Sequence, residues 1–162
     1  METNLAKAIS ELSLRMRLIK SLQEEKSSIE QLSDRDILLL EMLSKAGSMT
    51  VSQIAALHPN ISESTISTTI TKLWRDKKVV SKTISPENQR VTNVELTDKG
   101  REILTVYADH QSQRYKALLN AMQLSEDEKK VLLDIIQRTL TVFDTQLAKD
   151  KTAAEIINKS DF

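Results

Sequence analysis

Ser62, Ser64, Thr65 and Thr68 cluster on a segment whose apolar positions, Ile66, Ile70 and Leu73, recur at helical spacing. The spacing predicts a helix that packs Ile66, Ile70, Leu73 and Trp74 on the core. Its opposite face then carries Ser64, Thr68, Thr71, Lys72 and Arg75, with Ser62 and Thr65 at the N-terminal end. Hydroxyls can donate to or accept from base edges and phosphates, and Lys and Arg neutralise phosphate charge. The helix N-terminus adds backbone N–H groups and a positive dipole end. A solvated Ser/Thr face on a surface helix is the competing reading, and this helix alone does not separate the two.

Charge adds to the first reading. The chain as a whole balances 23 Lys and Arg against 23 Asp and Glu, so a polyanion must be met by a local patch. From Ser62 to Arg90 there are six basic side chains, Lys72, Arg75, Lys77, Lys78, Lys82 and Arg90, against the acids Glu63, Asp76 and Glu87. Val79 to Ile84 and Val91 to Leu96 read as two strands joined by the turn formers Ser85 to Gln89. That hairpin presents Asn88, Gln89 and Arg90 at its tip. An Arg on a thin hairpin can reach a narrow minor groove; alternatively it braces the hairpin by pairing with Glu87. Ser62, Ser64, Thr65, Thr68, Lys72, Arg75, Lys82, Asn88 and Arg90 are therefore the expected DNA-facing residues.

Other chemistry finds little support. With no cysteine among 162 residues there is no disulfide framework, thiolate zinc site or cysteine nucleophile. His58 and His110 stand alone, so no metal site and no cofactor are expected. Phosphate-binding glycine loops, H-E-x-x-H and G-x-S-x-G are missing, which argues against an enzyme. The N-terminus Met1-Glu2-Thr3-Asn4 carries no basic n-region, and no apolar run could span a bilayer, so a cytoplasmic location is expected.

The remaining sequence must position these residues. Two Gly, two Pro and 3% aromatics suggest long helices with few loops. Leu5, Ile9, Leu12, Met16 and Ile19 form one stripe on a first helix, and Leu14, Leu18 and Leu22 lie outside it. A polar loop is expected from Glu24 to Glu30. Ser33 opens a second helix stopped by Gly47, and Thr50 with Gln53 opens a third, ending near Pro59. Ser62 caps the fourth. Thr97 starts a long helix to about Met122, and Ser125 with Glu128 caps another, on which Leu132, Ile135, Ile136, Leu140, Phe143 and Leu147 form one stripe. The tail from Asp150 either extends this helix or frays. The expected fold is mainly α with a small β-hairpin wing: a winged helix-turn-helix flanked by long N- and C-terminal helices. The stripes on those helices exceed what a winged domain can cover, so a homodimer is expected over a monomeric bundle.

The stretch from Leu32 to Leu104 resembles the MarR family of bacterial winged-helix transcription regulators. The resemblance rests on Leu32-Ser33-Asp34-Arg35-Asp36, Met49 to Ala55, Ile61 to Ser67 with Ile70-Thr71-Lys72-Leu73, Ser85 to Arg90, and Leu96-Thr97-Asp98-Lys99-Gly100. It implies a homodimer whose winged domains read successive major grooves of a pseudo-palindrome, most often as a repressor. It also implies a small anionic aromatic effector between the dimer helices and the winged domain, with Met16, Ile19, Met42 and Tyr107 as candidate lining residues. Two positions depart from the family: Asn88 stands where an acid is usual, which would leave Arg90 less preorganised, and Lys78 stands where Gly is usual, which suggests a different turn.

The expected organisation is an N-terminal dimerisation helix in 1–30, a DNA-binding domain in 31–100, and C-terminal dimerisation helices with a tail in 101–162. Double-stranded DNA is the expected partner. The rival reading is a winged-helix protein-interaction module, or a regulator antagonist with no operator of its own.

Overall fold

The computed structural model describes residues 1–24 and 31–158. The loop expected from Glu24 to Glu30 thus falls, past Glu24, outside the described residues, as does the end of the tail from 159 to 162. The elements are α1 (Glu2–Glu24), α2 (Asp34–Ala46), β1 (Ser48–Thr50), α3 (Val51–Ala56), α4 (Glu63–Arg75), β2 (Val80–Ile84), β3 (Thr92–Leu96), α5 (Asp98–Ala121), α6 (Glu126–Leu147) and α7 (Lys151–Ile157). They fall into two compact units, residues 1–33 and 34–162.

The first unit is α1. Its stripe residues Leu5, Ile9, Leu12, Met16 and Ile19 are all exposed, and so are Leu14, Leu18 and Leu22.

The second unit has a core of aliphatic side chains. Leu39, Leu40 and Leu43 of α2, Ile54 of α3, and Ile66, Ile70 and Leu73 of α4 are fully buried, together with Val79, Val80 and Val94. The hairpin forms as expected, each strand starting one residue later than the sequence pattern suggested. Val80 pairs with Leu96, Lys82 with Val94 and Ile84 with Thr92. A third strand, β1, adds to the other edge of β3 and places Met49 opposite Val94. Sequence reasoning missed it, because three residues are too few for an alternating pattern to show.

Side-chain caps set the helix starts. Thr50 Oγ1 accepts from Gln53 N at 3.1 Å while Gln53 Oε1 accepts from Thr50 N at 2.8 Å. Ser62, Thr97 and Ser125 each accept from the backbone N–H three residues on. The Ser125 backbone N–H and hydroxyl also donate to the Glu128 carboxylate, which holds its pKa below the usual carboxylate range. Gly47, at φ +81°, ends α2. The tail neither extends α6 nor frays through Ile157. Asp150 caps a separate helix by accepting from Ala153 N at 2.9 Å, and α7 packs Ala153 back against α2.

Val79 is where the winged domain is tied together. Its N–H donates to the Leu73 carbonyl at the end of α4 (3.1 Å), and its carbonyl accepts from Thr97 N (3.1 Å). The Thr97 hydroxyl donates to Lys78 O at 2.7 Å and accepts from Gly100 N at 3.1 Å. Gly100 lies so close that a methyl group there would fall inside contact distance of the Val79 carbonyl oxygen. Lys78 does not give the different turn that its replacement of a glycine suggested. Its φ is +58°, the left-handed conformation that glycine adopts without strain. The hydrogen bond from Thr97 to its carbonyl helps to hold it there.

Gly100→Ala is expected to lower stability by about 1–3 kcal/mol, because the obstructing atom is backbone and cannot rotate away; chemical denaturation measures it. Lys78→Gly should do the reverse and raise stability by about 1 kcal/mol, by relieving the left-handed strain. A thermal or urea melt checks the sign.

Candidate nucleic-acid interface

The fourth helix meets the winged core through Ile66, Ile70 and Leu73. Ser62, Ser64, Thr65, Thr68, Lys72 and Arg75 are all exposed on its other sides. The structure thus brings these six expected residues together on one helix and its cap. Lys82 comes beside them from β2, half-buried, with its Nζ donating to Thr71 Oγ1 at 3.4 Å. Asn88 and Arg90 are exposed at the wing tip.

The hydroxyls are organised rather than idle. Ser62 Oγ accepts from Thr65 N at 3.2 Å and lies 3.0 Å from Ser64 Oγ and 2.7 Å from Thr65 Oγ1. Thr68 Oγ1 donates to Ser64 O at 2.9 Å, and Thr69 Oγ1 to Thr65 O at 3.0 Å. The Thr68 proton is therefore committed within the helix. What Thr68 can offer a base edge is an oxygen lone pair or its methyl group. Across the turn, Ser52 Oγ of α3 donates to Glu63 Oε1 at 3.5 Å.

At the wing, Asn88 does for the backbone what an acid would do for the side chain. Its Oδ1 accepts from Arg90 N at 3.1 Å, and its carbonyl accepts from Val91 N at 2.9 Å. The turn before Arg90 is thereby fixed from within. Glu87 does not brace Arg90: among the described residues no ion pair joins the two, and both are exposed.

Trp74 is not a core residue. It is 39% exposed, with the Arg75 guanidinium and the Lys82 ammonium each 5.2 Å from its ring centroid. The wheel position explains the miss. Trp74 lies about 40° beyond Ile70, on the flank of the buried arc, where the core reading is weakest. The basic strand opposite the flank was the available signal.

The four candidate effector-lining residues are divided between the two units: Met16 and Ile19 belong to the first, Met42 and Tyr107 to the second. Met42 is buried in the winged core, and Met16 and Ile19 are exposed on α1. Tyr107 alone lines a cleft, of about 470 Å³, between α2 and α5, with Glu41, Lys45, Arg101 and Leu104 also on its walls. His58 Nδ1 donates to Ile54 O at 2.9 Å, a local structural bond. The described residues contain no group of three or more His, Asp or Glu placed to hold a metal, and no helix long and apolar enough to cross a membrane.

Residues 32–120 match the family model of the HxlR-like helix-turn-helix. No curated protein sequence matches the chain. Several solved structures are similar in fold. Streptococcus pneumoniae FabT in complex with DNA is 18% identical over 90% of this chain and 99% of that one, with a TM-score of 0.69. A mutant of S. aureus MepR is 18% identical over 85% of this chain and 97% of that one, with a TM-score of 0.67. MarR is 20% identical over 86% of this chain and 92% of that one, with a TM-score of 0.65. The chain belongs to the HxlR-like helix-turn-helix family, and its fold is that of the DNA-binding transcriptional regulators of the MarR type.

Proposed function

We propose that the chain is a cytoplasmic homodimer that binds a pseudo-palindromic DNA operator in a sequence-specific manner and represses by occupying it. The observation that carries this reading is the exposed face of α4. Its hydroxyls and the cations Lys72 and Arg75 stand with Lys82 and Arg90 of the wing, and none of the four cations takes part in the ion pairs of the described residues. On a helix-turn-helix, the N-terminal residues of the second helix meet base edges. Ser62, Ser64, Thr65 and Thr68 hold that place here, the Thr68 methyl suiting a thymine methyl. Lys72 and Arg75 serve phosphates, and Arg90, on a turn set by Asn88, serves the minor groove.

The dimer reading is supported by apolar surface. No residue of α6 is buried, and Ile135, Ile136, Leu140, Phe143 and Leu147 lie exposed along its stripe. Tyr115, Leu118 and Met122 of α5 are exposed as well. Each such side chain gains about 1.5–3 kcal/mol when fully covered, so a second copy has ample apolar surface to bind. In this reading the N-terminal segment, residues 1–30, and the helices after residue 100 dimerise, and residues 31–100 read DNA. The α2–α5 cleft is the candidate place for release by a small aromatic anion: Tyr107 offers a ring, and Lys45 and Arg101 stand on the walls beside Glu41, with Arg101 paired to Asp98, so an anion there competes with those acids.

The test is a selection of bound fragments from the source genome with purified protein at near-physiological salt. An inverted repeat with half-site centres about one helical turn apart, roughly 34–36 Å, is the expected product. Recovery of random fragments only, repeated after unfolding and refolding to strip any ligand, would instead favour a winged-helix protein-interaction module or a regulator antagonist. On the recovered site, Arg90→Ala should weaken binding and lower the slope of log affinity against log salt by up to about one. Equal affinity and equal slope across a sodium chloride series would remove the wing from the interface.

A further inference from the structure

The chain has one tryptophan. Trp74 is not spent on the core, and its setting is chemically uneven. Arg75 on the same helix and Lys82 on β2 each stand 5.2 Å from its ring centroid. Lys82 is held a second time, by its bond to Thr71 Oγ1. Among the described residues, neither cation is ion-paired to an acid. Lys72, one turn before Arg75, is exposed too.

Two cations drawn to one ring repel each other. The ring quadrupole attracts both, but it neutralises neither. It also occupies no N–H donor, so the guanidinium keeps five and the ammonium keeps those not given to Thr71. The ring thus gathers and orders two long side chains while leaving their charge and donors unspent. An anion supplies what is missing. Ordering the side chains beforehand removes part of the entropy that binding would otherwise cost. The position decides which anion: the group joins the C-terminal part of α4 to the first strand of the wing, and a DNA backbone passes both when the helix lies in the major groove.

We propose that Trp74 is a positioning residue that holds Arg75 and Lys82 as a preformed clamp for the DNA phosphodiester backbone. The inference rests on the DNA-binding reading and adds to it the device that couples the reading helix to the wing.

The test uses the full-length protein and a labelled duplex of about 30 base pairs at low salt, where phosphate contacts supply essentially all non-specific affinity. Anisotropy is followed across a sodium chloride series for wild type, Trp74→Leu and Trp74→Phe, with a thermal melt of each. Trp74→Leu is expected to bind about five- to tenfold more weakly, with a salt slope smaller by about one to two. Trp74→Phe keeps a π face and is expected to stay within about threefold of wild type with its slope retained. Trp74→Leu binding like wild type overturns the clamp, and so does Trp74→Phe failing as badly as a folded Trp74→Leu. A wild type that binds duplex while Trp74→Leu does not differ leaves the DNA reading standing. A wild type that binds no duplex overturns both. Should Trp74→Leu not fold, iodide quenching of wild-type Trp74 fluorescence decides. Saturating duplex is expected to suppress it, and unchanged quenching overturns the proposal.

Discussion

The winged domain depends on how closely two backbones approach at Val79. Its N–H closes onto the last turn of α4 through Leu73 O, and its carbonyl closes onto the start of α5 through Thr97 N. Three elements, α4, the wing and α5, are thereby fixed to one residue. The approach requires Gly100, since any side chain there would displace the Val79 carbonyl. It also requires Lys78 to take a left-handed backbone, which the Thr97 hydroxyl helps to hold. Each hydrogen bond contributes only about 1 kcal/mol net. Their value lies in geometry. A wing whose first strand is tied to the end of the reading helix cannot swing freely, so Arg90 and Lys72 are presented together.

A chain of zero net charge can bind a polyanion only by distributing its charges unevenly. The long helices do this by internal pairing. Lys129 with Glu126, Lys130 with Asp127 and Arg138 with Asp134 spend basic and acidic groups on one another at helical spacing. Such exposed pairs add little stability. Their effect here is to pair all three bases of α6 on a helix whose acids outnumber them, while Lys72, Arg75, Lys82 and Arg90 stand outside such pairs on the winged face. The hydroxyls show the same economy in another form. The Ser62–Ser64–Thr65 cluster and the Thr68 bond to Ser64 O fix rotamers on the exposed face of α4, so shape at the helix N-terminus is set before any partner arrives.

Much of this was legible in sequence, for definite reasons. Caps announce themselves by a short polar side chain at a fixed offset, and Thr50, Ser62, Thr97 and Ser125 all stand where the pattern put them. Helical periodicity identified Ile66, Ile70 and Leu73 as core. What the pattern could not show depended on distance in sequence. Strand β1 owes its existence to β3, more than forty residues later, and α7 owes its position to packing on α2. Trp74 was misread because the wheel puts it on the flank of the buried arc, while the cations it meets in space include one on another element, Lys82. The turn at Lys78 was misread for the opposite reason: a local rule that glycine is needed gave way to the bonds that hold lysine in glycine's conformation. Among the candidate effector-lining residues, spacing alone did not distinguish a buried position, such as Met42, from a cleft wall, such as Tyr107.

In the proposed reading, the exposed apolar stripes bear on how DNA binding would be controlled. The winged domain buries its own core and leaves α6 with no buried residue, so its folding does not depend on covering that helix. If a second copy covers it, the spacing of two reading helices is set by how α5 and α6 meet their counterparts, while α5 itself begins at the Val79 junction. A change in the angle of α5 would then pass to α4 and the wing at once, because all three are bonded to the same residue, Val79. The α2–α5 cleft lies along that lever, with Tyr107 and Arg101 on α5 and Lys45 on α2. A small anion held there would favour one angle of α5 over another only by binding one better, and the coupling it can exert is limited to that difference. In the proposed reading, rigidity at Val79 is what would let a small ligand act on the wing and α4 together: a looser junction would absorb the movement before it reached Arg90.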